Sequence, residues 1–388
     1  MARRAAAVVE GDNIQARIVN ELNKDKALYG VVKTGETPLL SLTPYYISTQ
    51  SAYLDYILGR PGIPGSKLTT IFGREGSGKS TLGHHLLAET QAIGGIGVLA
   101  DSEQRFDKKR GALMGINTDD LLYIDGATME QTFDAIEKIV VKIRAADTDI
   151  PVTIVYDSLA GSIPEKRMEA EVGDYLPGRA AAVVSQELPR LKLKISNAKV
   201  ALVIINQLRS RINMGGDPRS ASYKERMKVM GKEQTMLAEW PLIYESALML
   251  FVNSIAQTGE DKDHPTGIRS RVTVRKCGIS PREGWKGEID IDYMRGFDRV
   301  GSKFELLEML GVISGGAAGW YYIGDDTTHK FRRSDFHKVL AEKPELDELC
   351  KNAPTLWEGG IYGDGTPTPT IGEPIERPYG DEESPFDD

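Results

Sequence analysis

The stretch GREGSGKST, residues 73–81, stands between a β-branched run, LTTIF at 68–72, and a helical pattern that begins TLGHHLLAET. The order strand, glycine-rich turn and helix is the context of a Walker A phosphate loop. Glycines let successive backbone N–H groups turn toward phosphates, and the helix N-terminus adds the positive end of its dipole. We therefore predict a nucleotide site formed by the whole loop: Gly73, Arg74, Glu75, Gly76, Ser77, Gly78, Lys79, Ser80 and Thr81.

Lys79 and Ser80 carry the chemistry that such a loop supplies. The lysine ammonium reaches the β- and γ-phosphates, and the serine hydroxyl is a hard oxygen ligand of the kind that Mg²⁺ prefers. We therefore predict ATP and Mg²⁺ as cofactors. His84 and His85 follow the loop. With no third ligand in view, we expect them to pack or to face solvent rather than to bind a metal.

Composition is typical of a soluble globular protein. The sequence has 388 residues, of which 40% are hydrophobic and 27% charged. It has no apolar run long enough to span a membrane, and the short apolar stretch before Glu10 does not make a signal peptide. We therefore expect a cytoplasmic protein with no membrane partner. Cys277 and Cys350 are far apart and form no C-x-x-C pair, so neither a disulfide framework nor a zinc site is indicated.

The excess of negative charge is confined to the C-terminal end of the chain. The net charge is −8, and residues 355–388 hold nine acids against one base. The rest of the chain is therefore balanced, and its neutrality is compatible with a nucleic-acid partner. Proline, glycine and acidic residues dominate 355–388, which predicts a disordered acidic tail.

The rest of the chain divides into three predicted regions. Residues 1–40 contain one amphipathic helical pattern and a linker, and a lone helix of this length needs a partner surface. Residues 41–300 form the predicted nucleotide-binding core. Residues 301–354 form a small α/β lobe with helices expected at 303–310 and from Ser334 onward.

The core alternates apolar strand patterns with helical ones. Strands are expected at 95–103, 121–125, 151–158 and 200–207, with helices at 128–145 and 178–196. This alternation predicts an α/β fold with a doubly wound, mostly parallel sheet. Three later strands, expected at 247–253, 271–276 and 287–293, would extend the sheet in antiparallel orientation.

Polar residues follow these strands where each one ends. In an open parallel sheet the carboxyl ends share one edge, and ligands bind there. Asp157 fits a Walker B carboxylate that orients the Mg²⁺ shell. Glu103 is the better candidate for the general base that takes a proton from water, and Gln207 could hydrogen-bond the γ-phosphate. A single such residue is more often merely solvated, but together they predict one site.

Two segments beyond these strand ends are candidates for DNA contacts. Residues 209–232 are rich in bases and contain Gly-Gly, which indicates contacts with phosphate backbones. The alternative is a loop that is merely solvated. Residues 165–179 follow Asp157 in the same way. The predicted DNA-binding residues are Arg167, Arg179, Arg209, Arg211, Arg219, Lys224, Arg226, Lys228 and Lys232.

At about 45–345 the chain resembles the bacterial RecA recombinases. The resemblance rests on STQSAYLDYILG, GREGSGKST, ADSEQRFD, YDSLAGSIPEKRMEAEVGD, IINQLRSRI and GWYYIG, which occur in the family's order and spacing. It implies a RecA-like P-loop ATPase core with an N-terminal helix that docks on the next subunit. By position, Glu103 resembles the family's catalytic glutamate and Gln207 its nucleotide-sensing glutamine.

The resemblance also implies further contacts to the nucleotide. Asp107 and Tyr293 resemble residues that contact adenine, and Arg110 replaces an aromatic that stacks there. Lys276 resembles the first of two lysines that reach a neighbour's γ-phosphate, whereas Gly278 replaces the second. The segments 165–179 and 208–236 resemble the family's two DNA-binding loops, the second being longer than usual.

The implied activity is DNA-dependent ATP hydrolysis by a helical homo-oligomer. Such a filament forms on single-stranded DNA and exchanges it into homologous double-stranded DNA, at the nucleoid of a bacterial or phage-infected cell. Single-strand binding protein and other recombination factors are candidate partners. Two alternatives stay open: a ring-forming helicase, which would show closed hexamers, and a non-catalytic ATP-switched mediator, which would show no strand exchange of its own.

Overall fold

The computed structural model describes residues 14–26, 43–147, 149–169, 178–210, 234–261, 263–324 and 328–356. The chain divides into two units, Met1–Thr43 and Pro44–Asp388. The first contains the predicted N-terminal helix, α1 (Ile14–Leu22). Its docking on another subunit stays a prediction. The predicted tail from residue 357 onward lies outside the described residues.

Most of the described strands of the second unit belong to one large sheet, in the order β12-β11-β10-β9-β3-β7-β6-β4-β5, with β8 paired to β7. Short pairs form separately from β1 and β2 and from β13 and β14. The strands are β1 (Tyr46–Ile47), β2 (Ile63–Pro64), β3 (Leu68–Gly73), β4 (Ile96–Asp101), β5 (Leu122–Asp125), β6 (Val152–Asp157), β7 (Val200–Ser210), β8 (Gln234–Met236), β9 (Leu248–Thr258), β10 (Gly267–Cys277), β11 (Lys286–Asp292), β12 (Gly296–Phe297), β13 (Ile313–Gly315) and β14 (Tyr321–Ile323).

Helices connect these strands and cover both faces of the sheet. α5 begins after Thr128, whose side chain forms a capping box with that of Gln131. The helices of the second unit are α2 (Ala52–Leu58), α3 (Lys79–Ala92), α4 (Lys108–Leu113), α5 (Met129–Ala146), α6 (Glu165–Glu169), α7 (Arg179–Asn197), α8 (Glu239–Glu245), α9 (Arg299–Met309), α10 (Phe336–Glu342) and α11 (Glu345–Asn352).

Two hydrophobic clusters lie on opposite faces of the sheet, because successive strand residues point to opposite sides. In β7, Leu202 and Ile204 belong to one cluster with α5 and α7, whereas Val203 and Ile205 belong to the other with α2 and α3. A strand buried on both faces is apolar along its length, as residues 200–205 of β7 are. The predicted α/β fold with a doubly wound, mostly parallel sheet is confirmed.

One strand orientation differs from the prediction. The sequence predicts that β9, β10 and β11 extend the sheet in antiparallel orientation. β10 does pair antiparallel with both β9 and β11. β9 instead runs parallel to β3, with Thr69 opposite Leu248. The reason lies in β8 and in α8, a helix that the sequence pattern did not predict. β8 pairs antiparallel with β7 and so runs against β3, and the chain turns again through α8 before β9 begins. These two reversals leave β9 parallel to β3.

A third hydrophobic cluster belongs to the C-terminal part of the unit. Phe304, Phe336 and Leu346 bury their side chains there, together with β13 and β14. Tyr53 and Tyr56 of α2 pack against this cluster, so the small α/β region is attached to the sheet through α2. Its proposed boundary at residue 300 stays a prediction. Among the residues that the structure describes, no helix is both long and apolar enough to cross a membrane.

Candidate nucleotide site

The strand register brings the predicted site residues to one edge of the sheet. Gly73, at the end of β3, lies beside Gln207 of β7. Asp101, at the end of β4, lies beside Asp157 of β6. Since β3, β7, β6 and β4 are consecutive neighbours, their polar carboxyl ends form one continuous row.

The phosphate loop depends on glycine at several positions. Gly76 and Gly78 have φ values of 72° and 90°, in the left-handed region where a side chain is strained. A Cβ on Gly73 would lie 2.0 Å from Val252 O, so β9 also leaves no room for a side chain there. Gly78 precedes α3 and provides no side-chain cap. The first N–H groups of α3 are therefore available to an anion.

A cavity of about 200 Å³ opens beside this loop. Five predicted site residues line it together: Lys79, Ser80, Glu103, Asp157 and Gln207. Glu75 and Gly76 of the loop and the predicted adenine-side residue Arg110 also line it. Residues from four strand ends thus surround one space, and their individual roles stay predictions.

Burial perturbs the two charged groups at the base of the cavity. Lys79 is 6% exposed, and loss of solvation lowers its pKa to about 8 although Asp157, Glu103 and Glu75 oppose the change. Its Nζ donates to Arg74 O at 2.5 Å. Loss of solvation likewise raises the pKa of Asp157 to about 6, against a hydrogen bond from Ser80. Both groups therefore gain from a ligand that restores their charge interactions.

The oxygen atoms beside Lys79 suit Mg²⁺. Ser80 and Asp157 offer a hydroxyl and a carboxylate in contact with one another. Mg²⁺ usually takes one or two such protein ligands and completes its octahedron with waters and substrate phosphates. Within the described residues, no group of three or more His, Cys, Asp or Glu side chains could form an all-protein site. The donor set thus fits a cation that arrives with a nucleotide.

Glu103 has partners on both carboxylate oxygens. Its Oε1 accepts hydrogen bonds from Ser158 Oγ at 2.5 Å and from Gln207 Nε2 at 2.7 Å. Its Oε2 lies 3.1 Å from Arg105 Nη1. The candidate base is therefore joined directly to the candidate γ-phosphate sensor.

Arg110 links the residues predicted to surround adenine. Asp107 caps α4 by accepting from Arg110 N at 2.8 Å. The guanidinium of Arg110 donates to Tyr293 O at 2.7 Å and to Thr81 Oγ1 at 2.9 Å. Arg110 thereby connects α4 and the segment at Tyr293 to the phosphate loop.

Other predicted residues lie away from the cavity or outside the described part of the chain. Lys276, on β10, does not line the cavity and donates to Ile243 O at 2.6 Å. Arg167 and Arg209 are exposed, and Arg179 begins α7. The predicted DNA contacts outside the described residues are Arg211, Arg219, Lys224, Arg226, Lys228 and Lys232.

Several residues that line the cavity have no role predicted from the sequence. His84 is buried, as expected for packing, and its ring meets Phe106 edge-on at 5.2 Å. Burial lowers the pKa of His84 to about 4. Arg105 and Ser158 also line the cavity. Their only sequence signal is proximity to Glu103 and Asp157, two candidate residues at strand ends.

The fold and the cavity together define the RecA-like class of α/β proteins: a mostly parallel sheet with a glycine-rich loop and a row of polar strand ends. Comparison with known proteins identifies the family within that class. The family model for the RecA N-terminal domain matches residues 14–237. The chain belongs to the RecA family.

Similarity to individual RecA proteins covers most of the chain. Protein RecA of Chloroflexus aurantiacus is 31% identical over 345 residues, which are 89% of this chain and 91% of the relative. Protein RecA of Chlorobium chlorochromatii is 34% identical over 305 residues, covering 79% and 80% of the two chains. Protein RecA of Herpetosiphon aurantiacus is 34% identical over 306 residues, covering 79% of each.

Proposed function

We propose that this protein is a DNA-dependent ATPase that forms helical filaments on single-stranded DNA and exchanges it into homologous duplex. Membership of the RecA family supports this function, and so does the cavity that gathers Lys79, Ser80, Glu103, Asp157 and Gln207. Its place of action would be the nucleoid of a bacterial or phage-infected cell. Single-strand binding protein and other recombination factors are proposed partners.

The proposed site uses each polar strand end for one task. Lys79 and the N–H groups at the start of α3 bind the β- and γ-phosphates. Ser80 and Asp157 hold Mg²⁺, which neutralises phosphate charge. Glu103 takes the proton from the attacking water, because in-line attack on the γ-phosphate needs a positioned water and a nearby carboxylate.

The observation that carries the proposal is the hydrogen bond from Gln207 Nε2 to Glu103 Oε1, at 2.7 Å. Gln207 lies on β7, which continues through Arg209 toward the basic residues of 211–232. A γ-phosphate that draws the amide of Gln207 away from Glu103 would affect both the candidate base and the strand that leads to the basic segment. It would free the base and change the start of the basic segment, so ATP state and DNA affinity would be coupled.

The decisive experiment images the purified protein on single-stranded DNA with a non-hydrolysable ATP analogue and measures strand exchange with ATP. We expect helical filaments with the analogue, and exchange that is lost in Lys79→Ala. Closed hexamers with processive unwinding would instead identify a helicase. Filaments or ATP binding without strand exchange would identify a mediator of another recombinase.

A further inference from the structure

Arg105 crosses the cavity between the phosphate loop and the candidate base. A single atom, Nη1, lies 3.1 Å from Glu75 Oε1 and 3.1 Å from Glu103 Oε2. Glu75 belongs to the loop and Glu103 to the segment after β4, so the guanidinium bridges two walls of the same space. Arg105 itself lines the cavity together with Lys79 and Gln207.

The bridge formed by Arg105 lies at the end of the cavity where the terminal phosphate is expected. Lys79 and Ser80 begin α3 at the base of the phosphate loop, whereas Glu103 is the group proposed to act at the terminal phosphate. A cation held by Glu103 therefore lies at the terminal-phosphate end. Guanidinium groups present several fixed donors and bind phosphate oxygens in pairs, which an ammonium does not.

The acidic residues around the cavity favour a further cation when a nucleotide enters, in addition to Lys79 and Arg110, which also line it. Glu75, Glu103 and Asp157 line the space, and a triphosphate brings further negative charge. Arg105 is 67% exposed at its side chain. An exposed pair of this kind stabilises the protein little, so the guanidinium can exchange partners at low cost.

We propose that Arg105 is a catalytic residue that acts on the nucleotide bound to its own subunit. Without nucleotide it is held by Glu75 and Glu103. With ATP bound, its guanidinium moves to the γ-phosphate oxygens and leaves Glu103 Oε2. The inference rests on the proposed function and adds a further cation from the same chain, besides Lys79 and Arg110.

The exchange of partners has a direct chemical consequence. Oε1 of Glu103 accepts from Ser158 as well as from Gln207, so it keeps the contact with Ser158 when ATP draws Gln207 away, and Oε2 becomes the free oxygen. The water oxygen attacks the γ-phosphorus while its proton passes to Oε2. The bond from the γ-phosphorus to the β–γ bridging oxygen breaks, and ADP leaves with that electron pair. Glu103 then returns the proton to solvent, and Arg105 stabilises the charge that builds on the γ-phosphoryl oxygens.

The test compares Arg105→Ala and Arg105→Lys with wild type and with Lys109→Ala. The control removes one positive charge from an exposed position of α4 that does not line the cavity. Affinities for ADP and for a non-hydrolysable ATP analogue are measured by titration calorimetry with Mg²⁺, and DNA-stimulated hydrolysis by phosphate release. Melting temperatures check that each variant is folded.

For Arg105→Ala we expect at least a tenfold loss of affinity for the ATP analogue and less than a twofold change for ADP. Hydrolysis should fall about 100-fold, Arg105→Lys should recover part of it, and Lys109→Ala should match wild type. Unchanged affinities, or equal losses for ADP and the analogue, would overturn the proposal. So would faster hydrolysis, which would make Arg105 only a restraint on Glu103.

Different results would reject the proposed function and the proposed role of Arg105. Wild-type protein without DNA-stimulated hydrolysis or strand exchange would reject the proposed function. The difference between ADP and the analogue in Arg105→Ala does not require turnover, and it tests the contact with the γ-phosphate by itself.

Discussion

The two sides of the central sheet handle charged residues in different ways. At the carboxyl edge of β3, β7, β6 and β4, charges surround a cavity and their pKa values are perturbed, as Lys79 and Asp157 show. On the antiparallel side, two arginines of β10 pair with acids of β11. Arg269 donates twice to Asp290, at 2.7 and 2.6 Å, and Arg271 pairs with Glu288 at 2.9 Å.

The charged residues at the cavity are available to a ligand, whereas Arg269 and its acidic partners stabilise the fold. The pairing with Asp290 raises the pKa of Arg269, and a further contact to Glu305 at 3.3 Å connects this side to α9. These groups have protein partners and would gain little from a ligand. At the cavity, burial without full pairing leaves free energy that a magnesium nucleotide can recover.

The largest effect is expected from Glu103→Gln. Because an amide cannot take the proton of water, DNA-stimulated hydrolysis should fall about 1,000-fold. Affinity for the ATP analogue should stay within about threefold, since the shape and the contact with Gln207 remain possible. Phosphate release and calorimetry measure the two quantities. Turnover that persists in this variant would reject the assignment of the base.

Lys276→Ala tests whether the antiparallel side serves a neighbouring subunit. Lys276 does not line its own cavity, so hydrolysis should fall roughly 10- to 100-fold only in the assembled filament. Nucleotide binding by unassembled protein should be unchanged. The matched control is Lys286→Ala, an exposed lysine on the adjacent strand β11. A loss of nucleotide affinity in the unassembled protein would contradict action in trans.

Affinity for magnesium nucleotide should be greatest between pH 6 and pH 8. The pKa of Asp157 is raised to about 6, so below this pH the carboxyl is neutral and no longer attracts Mg²⁺. The pKa of Lys79 is lowered to about 8, so above this pH the ammonium loses its charge. Below and above this range, the affinity should fall by up to about tenfold per pH unit. In Asp157→Asn, titrations should no longer show the loss of affinity at acid pH. If that loss is unchanged, a group other than Asp157 causes it.

Arg269→Ala should affect stability and leave nucleotide affinity unchanged. Arg269 is about one-third exposed, so solvent screens its pairs, and we expect a loss of about 1 to 2 kcal/mol in the free energy of unfolding. Urea denaturation measures it. Lys138→Ala removes an exposed pair with Asp134 and should have a smaller effect on stability, because water already screens that pair. A weaker affinity for nucleotide in Arg269→Ala would remove the distinction between the two sides.

Local patterns in the sequence predicted the elements that position the site. The strand at 68–72 became β3 (Leu68–Gly73) and the strand at 151–158 became β6 (Val152–Asp157). Such patterns depend on neighbouring residues, which the sequence contains directly. The row of polar strand ends followed from them because parallel strands share an edge.

Features that depend on distant contacts were not predictable in this way. The parallel orientation of β9 depends on the antiparallel strand β8 and on α8, whose seven residues, EWPLIYE, include a proline and show no clear helical period. The bridge of Arg105 between Glu75 and Glu103 joins positions that no spacing rule relates. The pKa values of Lys79 and Asp157 depend on burial, which only the folded chain determines.

The bond between Gln207 and Glu103 has a consequence for how the protein would be regulated. If ATP strengthens the hold on DNA through β7, thermodynamic reciprocity requires DNA to strengthen the hold on ATP by the same factor. DNA would then act as an allosteric activator of the protein that binds it. Measuring ATP-analogue affinity with and without single-stranded DNA, and DNA affinity with and without analogue, should give equal ratios.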